Sequence, residues 1–282
     1  MKRLLAMLLG LVLAPATHAA MPPEWSEPTA PFHVAGNIYY VGTKGLAAYL
    51  IVSSRGLILL DGTLAENVPV IERNIEALGY KVRDVRLLLN SHAHYDHAAG
   101  LAQLKRDSGA SLIASAGDRG ALETGQPPSD TDYGVMAFPP VKVDRTLVDG
   151  RPVRLGNVTM TPVLTPGHTP GCTTWMMNVT DNGRRLKVVF LGSITVAGNR
   201  LVGNRGYPAI VADYRDTFRR VAGLRADIVL PAHPDLVGVI DRARRSAAGD
   251  KQAFLMPGLL QKLDAESVKD FDAELAKEQA TR

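Results

Sequence analysis

Residues His92-Ala93-His94-Tyr95-Asp96-His97 set three imidazoles and a carboxylate within six positions, directly after the apolar run Val85-Arg86-Leu87-Leu88-Leu89-Asn90. The run reads as a buried strand. Ala98 to Ser108 reads as a helix with Leu101 and Leu104 on one face and Gly109 as its stop, so the motif falls in a strand-to-helix turn. Buried without partners, these four side chains would repel one another or stay unpaired, whereas divalent cations would satisfy all of them. His92 and His94 project from one side of an extended segment, while Asp96 and His97 lie at the turn and point elsewhere. Two adjacent metal sites are therefore expected.

The chain is long enough, at 282 residues and 46% hydrophobic, to bury a large core, as one domain of unusual size or as two fused similar halves. Its N-terminus stands apart from that core. Lys2 and Arg3 precede the apolar stretch Leu4 to Ala14, then Pro15 and the small-residue run Ala16-Thr17-His18-Ala19-Ala20, the three regions of a secretory signal. The apolar part is too short for a stable membrane anchor, so residues 1–20 are expected to be a signal peptide cleaved after Ala19 or Ala20, leaving 21–282 as the mature domain in the periplasm. Cleavage would lower the formal charge from +4 to about +2, and no dense basic run argues for nucleic acid as a partner. Cys172 is the only cysteine, which rules out an internal disulfide.

Along the chain, Pro22 to Pro28 reads as an irregular arm. Ile38–Val41, Ala47–Ser53 and Gly56–Leu60 read as an antiparallel meander, and Asn67–Leu78 as a helix with Val68, Ile71, Ile75 and Leu78 at helical spacing. After the motif come a strand over Ser111–Ser115, a short helix ending near Gly125 and a loop over Gln126–Asp132. β-type runs return at Arg145–Val148, Val153–Leu155, Val158–Val163, Thr173–Val179 and Leu186–Leu191. Arg215–Val221 reads as helix, Ile228–Leu230 as a last strand, and the tail from Asp241 as mostly helix with Val268, Phe271 and Leu275 as a stripe. This order of sheet, helices, sheet, helices predicts an α/β fold of two mixed sheets packed face to face with helices outside, an αβ/βα sandwich.

Two later histidines repeat the strand-then-histidine layout. His168 lies in Leu164-Thr165-Pro166-Gly167-His168-Thr169-Pro170-Gly171, and His233 in Ile228-Val229-Leu230-Pro231-Ala232-His233-Pro234. Either alone would read as a structural residue; beside a four-ligand motif, both become candidate ligands. With the HxHxDH motif, the GHTPG turn and the late histidine, the chain resembles the metallo-β-lactamase superfamily. Trp25-Ser26-Glu27-Pro28, Gly36-Asn37-Ile38-Tyr39-Tyr40-Val41-Gly42 and Tyr207-Pro208-Ala209-Ile210-Val211-Ala212-Asp213-Tyr214-Arg215 are similar to its third subclass of zinc β-lactamases. The resemblance runs from about Trp25 to His233.

It implies two zinc ions per chain, one held by His92, His94 and His168 and the other by Asp96, His97 and His233. Each set leaves a position open, as a catalytic site requires, with metal-activated water as nucleophile and Asp96 as both ligand and orienting group. Many relatives place a bridging aspartate after the strand that follows GHTPG, but here the run is Leu191-Gly192-Ser193-Ile194-Thr195. Un-ionised serine is a poor zinc ligand. The resemblance assigns Ser193 and Thr195 to the substrate carboxylate instead, with ordinary strand-end hydroxyls as the plainer reading.

Asp61 is a candidate acceptor for a ligand histidine or else a turn residue. Cys172 reads as a small buried side chain, and Trp25 as a cleft residue or the pin of the arm. The function implied is an exported di-zinc hydrolase of penicillins, cephalosporins and carbapenems that confers antibiotic resistance. A β-lactam is then the small-molecule partner, and a monomer without a membrane anchor is expected. A hydrolase of lactones or thioesters is the main alternative; a zinc-binding protein without catalysis is a third.

Overall fold

The computed structural model describes residues 21–132, 134 and 136–281, and the signal segment expected at 1–20 lies outside the described residues. The apolar runs of the first half pair as one seven-stranded sheet. Strands β1 (Phe32–Ala35), β2 (Ile38–Tyr40), β3 (Tyr49–Ser53) and β4 (Gly56–Leu60) form an antiparallel meander. Helix α1 (Val68–Ala77) then crosses over, so β5 (Val85–Leu89) joins β4 in parallel. Helices α2 (Tyr95–Ala98) and α3 (Leu101–Ser108) lead to β6 (Ser111–Ala114), and α4 (Ala116–Thr124) precedes β7 (Arg145–Thr146), both again parallel.

Parallel strands covered on both faces need near-continuous apolar runs, which residues 57–60 of β4 and 87–89 of β5 supply. Ile51, Ile58, Leu60, Leu89 and Ile113 face one core cluster. Leu50, Leu57, Leu59, Leu88 and Leu112 face the other, packed against Val68, Ile71 and Ile75 of α1 and Leu101 and Leu104 of α3.

The second sheet has the order β12-β11-β10-β9-β8 and is built from β8 (Val153–Leu155), β9 (Val158–Leu164), β10 (Thr173–Asp181), β11 (Arg184–Leu191) and β12 (Ile228–Pro231). Its Trp175, Met177 and Phe190 join Tyr40 and Tyr49 of the first sheet in one cluster. Tyr49 also donates from its hydroxyl to the Pro231 carbonyl at 2.8 Å. The same cluster takes in Phe218 of α5 (Ile210–Gly223), Val239 of α6 (Val239–Ala247) and Phe271 and Leu275 of α7 (Leu259–Ala280). Two mixed sheets with helices form the expected αβ/βα sandwich. Strands β9, β11 and β12 run in one direction, so their carboxyl ends, with that of β5, meet at one rim.

Several elements differ from the sequence reading. The helix expected over Ala98–Ser108 is two helices, because the Gly100 amide donates to the Thr63 carbonyl of a neighbouring loop and leaves the helical ladder. A Cβ on Gly100 would lie 2.2 Å from the Gly62 carbonyl oxygen, so this approach admits only glycine. Strand β1 fell outside the sequence reading. Only Arg145–Thr146 of the run Arg145–Val148 pairs, α5 begins five residues earlier than Arg215, and the tail is two helices separated by a segment that holds Gly249, Pro257 and Gly258.

Candidate metal centre

The loop from Asn90 to His94 leaves β5 extended and turns into α2 at Tyr95, as the motif required. Every motif ligand type is sequestered: His92, His94, Asp96 and His97 are all buried, as is His168 on the turn after β9. His233, on the turn after β12, keeps a quarter of its side chain in solvent. His92, His94 and His168 each offer one ligand atom within 4.8 Å of the others. Around Asp96 the contacts are closer still: Oδ2 lies 3.1 Å from His97 Nε2 and 3.2 Å from His233 Nε2, and the two ring nitrogens are 3.1 Å apart.

These distances test whether a metal fits. Three ligands on a tetrahedral zinc, at Zn–N near 2.0–2.1 Å, stand about 3.3 Å from one another, close to the Asp96–His97–His233 triangle. In the other set, His92 Nε2 and His94 Nε2 are buried nitrogens without a hydrogen-bond partner, an expensive arrangement unless a cation completes it. His168 directs Nδ1 to the Thr195 carbonyl at 2.8 Å; that bond fixes the tautomer and leaves the Nε2 lone pair for a metal. His92 Nδ1 lies 3.0 Å from the Ser91 hydroxyl, which orients it likewise. The two sets adjoin, with the His92 and His97 rings 4.2 Å apart.

Burial and the neighbouring imidazoles hold His92 and His168 well below the ordinary histidine range, and burial lowers His94 to about 4. All three are neutral near pH 7, the state in which an imidazole can bind a metal. Burial alone would raise Asp96, yet the charge of His97 and hydrogen bonds from His233 and His97 hold it well below the usual carboxylate range. Burial works against protonating His97, but Asp96 and Asp61 raise it. One set is thus electrically neutral and the other carries a carboxylate.

Asp61 is buried and accepts from the Ser91 amide at 2.7 Å and the Asn90 side chain at 3.0 Å. It braces the backbone that leads into His92, bonding to Asn90 and Ser91 and not to a candidate ligand histidine. Ser193 and Thr195 follow β11 with their hydroxyl oxygens 3.1 Å apart. The Cys172 thiol donates to the Ser193 carbonyl, and burial pushes the thiol far up, so it stays protonated. Trp25 fits both of its readings. Its carbonyl accepts from Thr43 and Asn67, pinning the arm, and its ring centroid lies 5.5 Å from that of His233 at the edge of the centre.

Residues that the sequence reading passed over hold these loops. Trp175 Nε1 donates to the Asn90 carbonyl at 3.1 Å and Asn199 Nδ2 to the His168 carbonyl at 3.1 Å. Asp118 accepts from the Ala93 amide, the Thr169 hydroxyl and the Gly171 amide. Only Ser115-x-x-Asp118 left a trace in sequence, as a helix start.

A family model described as the metallo-beta-lactamase superfamily matches residues 41–233. BJP-1, a subclass B3 metallo-beta-lactamase of Bradyrhizobium japonicum, is 43% identical and superposes with a TM-score of 0.87 over 92% of this chain and 98% of that one. The native FEZ-1 metallo-beta-lactamase from Legionella gormanii is 38% identical with a TM-score of 0.86, over 93% of this chain and 99% of the other. A hydroxyacylglutathione hydrolase from Rhodospirillum rubrum is 33% identical over 113 residues, 40% of this chain but only 35% of that protein's length. From its converging histidines and aspartate, its fold and these matches, the chain belongs to the metallo-beta-lactamase superfamily, and its structural neighbours there include a subclass B3 enzyme.

Proposed function

We propose that the chain is a di-zinc β-lactamase, exported to the periplasm and active as a monomer, that opens the ring of penicillins, cephalosporins and carbapenems and so confers antibiotic resistance. The observation that carries this reading is the buried cluster in which His92, His94 and His168 converge beside the close triangle of Asp96, His97 and His233. Zinc bound there would polarise the substrate carbonyl and lower the pKa of water.

The chain's own groups do the rest. His168 is held in one tautomer by the Thr195 carbonyl, so its lone pair is presented without a proton to displace. Asp96 stays ionised, leaving its second oxygen to orient an incoming water. The Ser193 and Thr195 hydroxyls can donate together to the carboxylate common to β-lactams, a charge-assisted pair of bonds that sets the ring against the centre. Trp25 offers an apolar wall beside His233. In support of a monomer, the exposed large hydrophobics among the described residues come down to Met21, Val148 and Leu236.

The match to a hydroxyacylglutathione hydrolase favours thioesters as the second reading. One experiment separates the two: purified mature protein assayed with a chromogenic cephalosporin and, in parallel, with a glutathione thioester, each with and without chelator. Chelator-sensitive turnover of the cephalosporin with little thioester cleavage is expected. The reverse pattern would replace the β-lactamase reading with the thioesterase one.

A further inference from the structure

Asp118 lies on the first turn of α4, 1% exposed, and its carboxylate bonds outward to two different loops. Oδ2 accepts from the Ala93 amide at 2.9 Å and from the Thr169 hydroxyl at 2.8 Å, and Oδ1 accepts from the Gly171 amide at 2.8 Å. Ala93 sits between His92 and His94, and Thr169 directly follows His168. A single buried carboxylate therefore ties the backbone of the first ligand loop to the turn that carries the third ligand. The contact is built to close tolerance: a Cβ on Gly171 would lie 1.9 Å from the Ser115 hydroxyl and 2.7 Å from the Asp118 carboxyl carbon. Burying a carboxylate is costly, and the three donors offset only part of that cost: burial still pushes Asp118 up to about 6.

We propose that Asp118 is a positioning residue, a clamp that fixes the separation of His92 and His94 from His168 and thereby sets the affinity of that site for zinc. The inference rests on the two-metal reading above. It also makes the effect selective. The Asp96/His97/His233 set takes its third ligand from the loop after β12, which is tied instead by the Ala47 amide to the Ala232 carbonyl and by Tyr49 to Pro231. The Asp118 carboxylate bonds to Ala93, Thr169 and Gly171, not to that loop. The backbone bond from Thr173 to Ser91 holds the bases of the first two loops together at 2.7 Å, so loss of the clamp should loosen their tips without separating them.

The test measures zinc affinity by chelator competition in two backgrounds that each keep one complete ligand set. In His233→Ala, where His92/His94/His168 remains, adding Asp118→Ala should weaken zinc binding about 10- to 100-fold, the range seen when a supporting partner of a metal ligand is removed. In His168→Ala, where only the other set can form, the same change should cost less than about 3-fold, within the spread of indirect effects. Asp118→Asn keeps the shape but must turn an amide N–H toward one donor, so a smaller loss confined to the first background is expected; it carries the test if the alanine variant does not fold. Equal losses in both backgrounds with a parallel fall in melting temperature, or no loss in either, would overturn the clamp. Wild-type protein that takes up no zinc would overturn the metal-centre reading, and the clamp with it.

Discussion

At the scale of single residues, Ser193 separates the β-lactamase reading from its relatives. Ser193 and Thr195 are partly exposed with their hydroxyl oxygens 3.1 Å apart, while the groups that engage His168 and Cys172 at this strand end are the main-chain carbonyls of Thr195 and Ser193. Removing a hydroxyl therefore leaves the support of His168 untouched. Ser193→Ala is expected to retain the wild-type zinc content and to lose roughly 1.5–3 kcal/mol of binding, on the order of 10- to 100-fold in kcat/KM, through KM. Steady-state kinetics with a carboxylate-bearing cephalosporin, alongside elemental analysis, check this. Full zinc with unchanged KM and a much lower kcat would sink the carboxylate-binding role. The six candidate ligands were legible because four lie in one six-residue stretch and two in proline- or glycine-marked turns after strands. Their supports were not, since Asp118 reaches residues 25, 51 and 53 positions away and Asn199 one 31 away, tertiary contacts that no local pattern announces.

At the scale of elements, α7 shows both what periodicity reveals and what it hides. The stripe Val268, Phe271 and Leu275 does pack into the core, as its spacing predicted. Asp264, on the same helix, is also buried, and one of its oxygens has no partner. Burial pushes it up to about 6 from the ordinary 3.8. The folded state then holds a proton that the unfolded chain releases, so the stabilising contribution is complete below about pH 4 and is lost as pH rises through about 6. Asp264→Leu should abolish that dependence. Urea melts of metal-free protein are expected to show the variant more stable by about 1 kcal/mol near pH 7 and less favoured near pH 4. An equal difference at both pH values would show that the side chain's volume, not its charge, decides. Most strands of both sheets were readable as apolar runs, β1 excepted, whereas the break at Gly100 was not, because the carbonyl that captures its amide belongs to Thr63, far back in the chain.

At the scale of the whole molecule, two expectations concern the protein as it is made and as it is loaded. The charged, apolar and small-residue regions of residues 1–20 should direct export, so intact-mass analysis of protein from fractionated cells should find an N-terminus at Ala20 or Met21; a mass that includes Met1 to Ala19 would refute processing. The second expectation follows from where the stability resides. Two large apolar clusters, one spanning both sheets and the outer helices, form without any ligand side chain among their members, so the metal-free chain should stay folded. Zinc then acts by mass action on a protein that is already native. Each site saturated at 100 times its dissociation constant adds about 2.7 kcal/mol, and for a domain of this size both together should raise the melting temperature by on the order of 10 °C. His168→Ala and His233→Ala each abolish one of the two sites, so each should show roughly half of that rise and one zinc instead of two. Calorimetric scans of wild type and both variants, with and without chelator, provide the comparison. A metal-free wild type that is already unfolded, or a wild-type rise no larger than that of either variant, would show that the ions are part of the fold or that only one site binds.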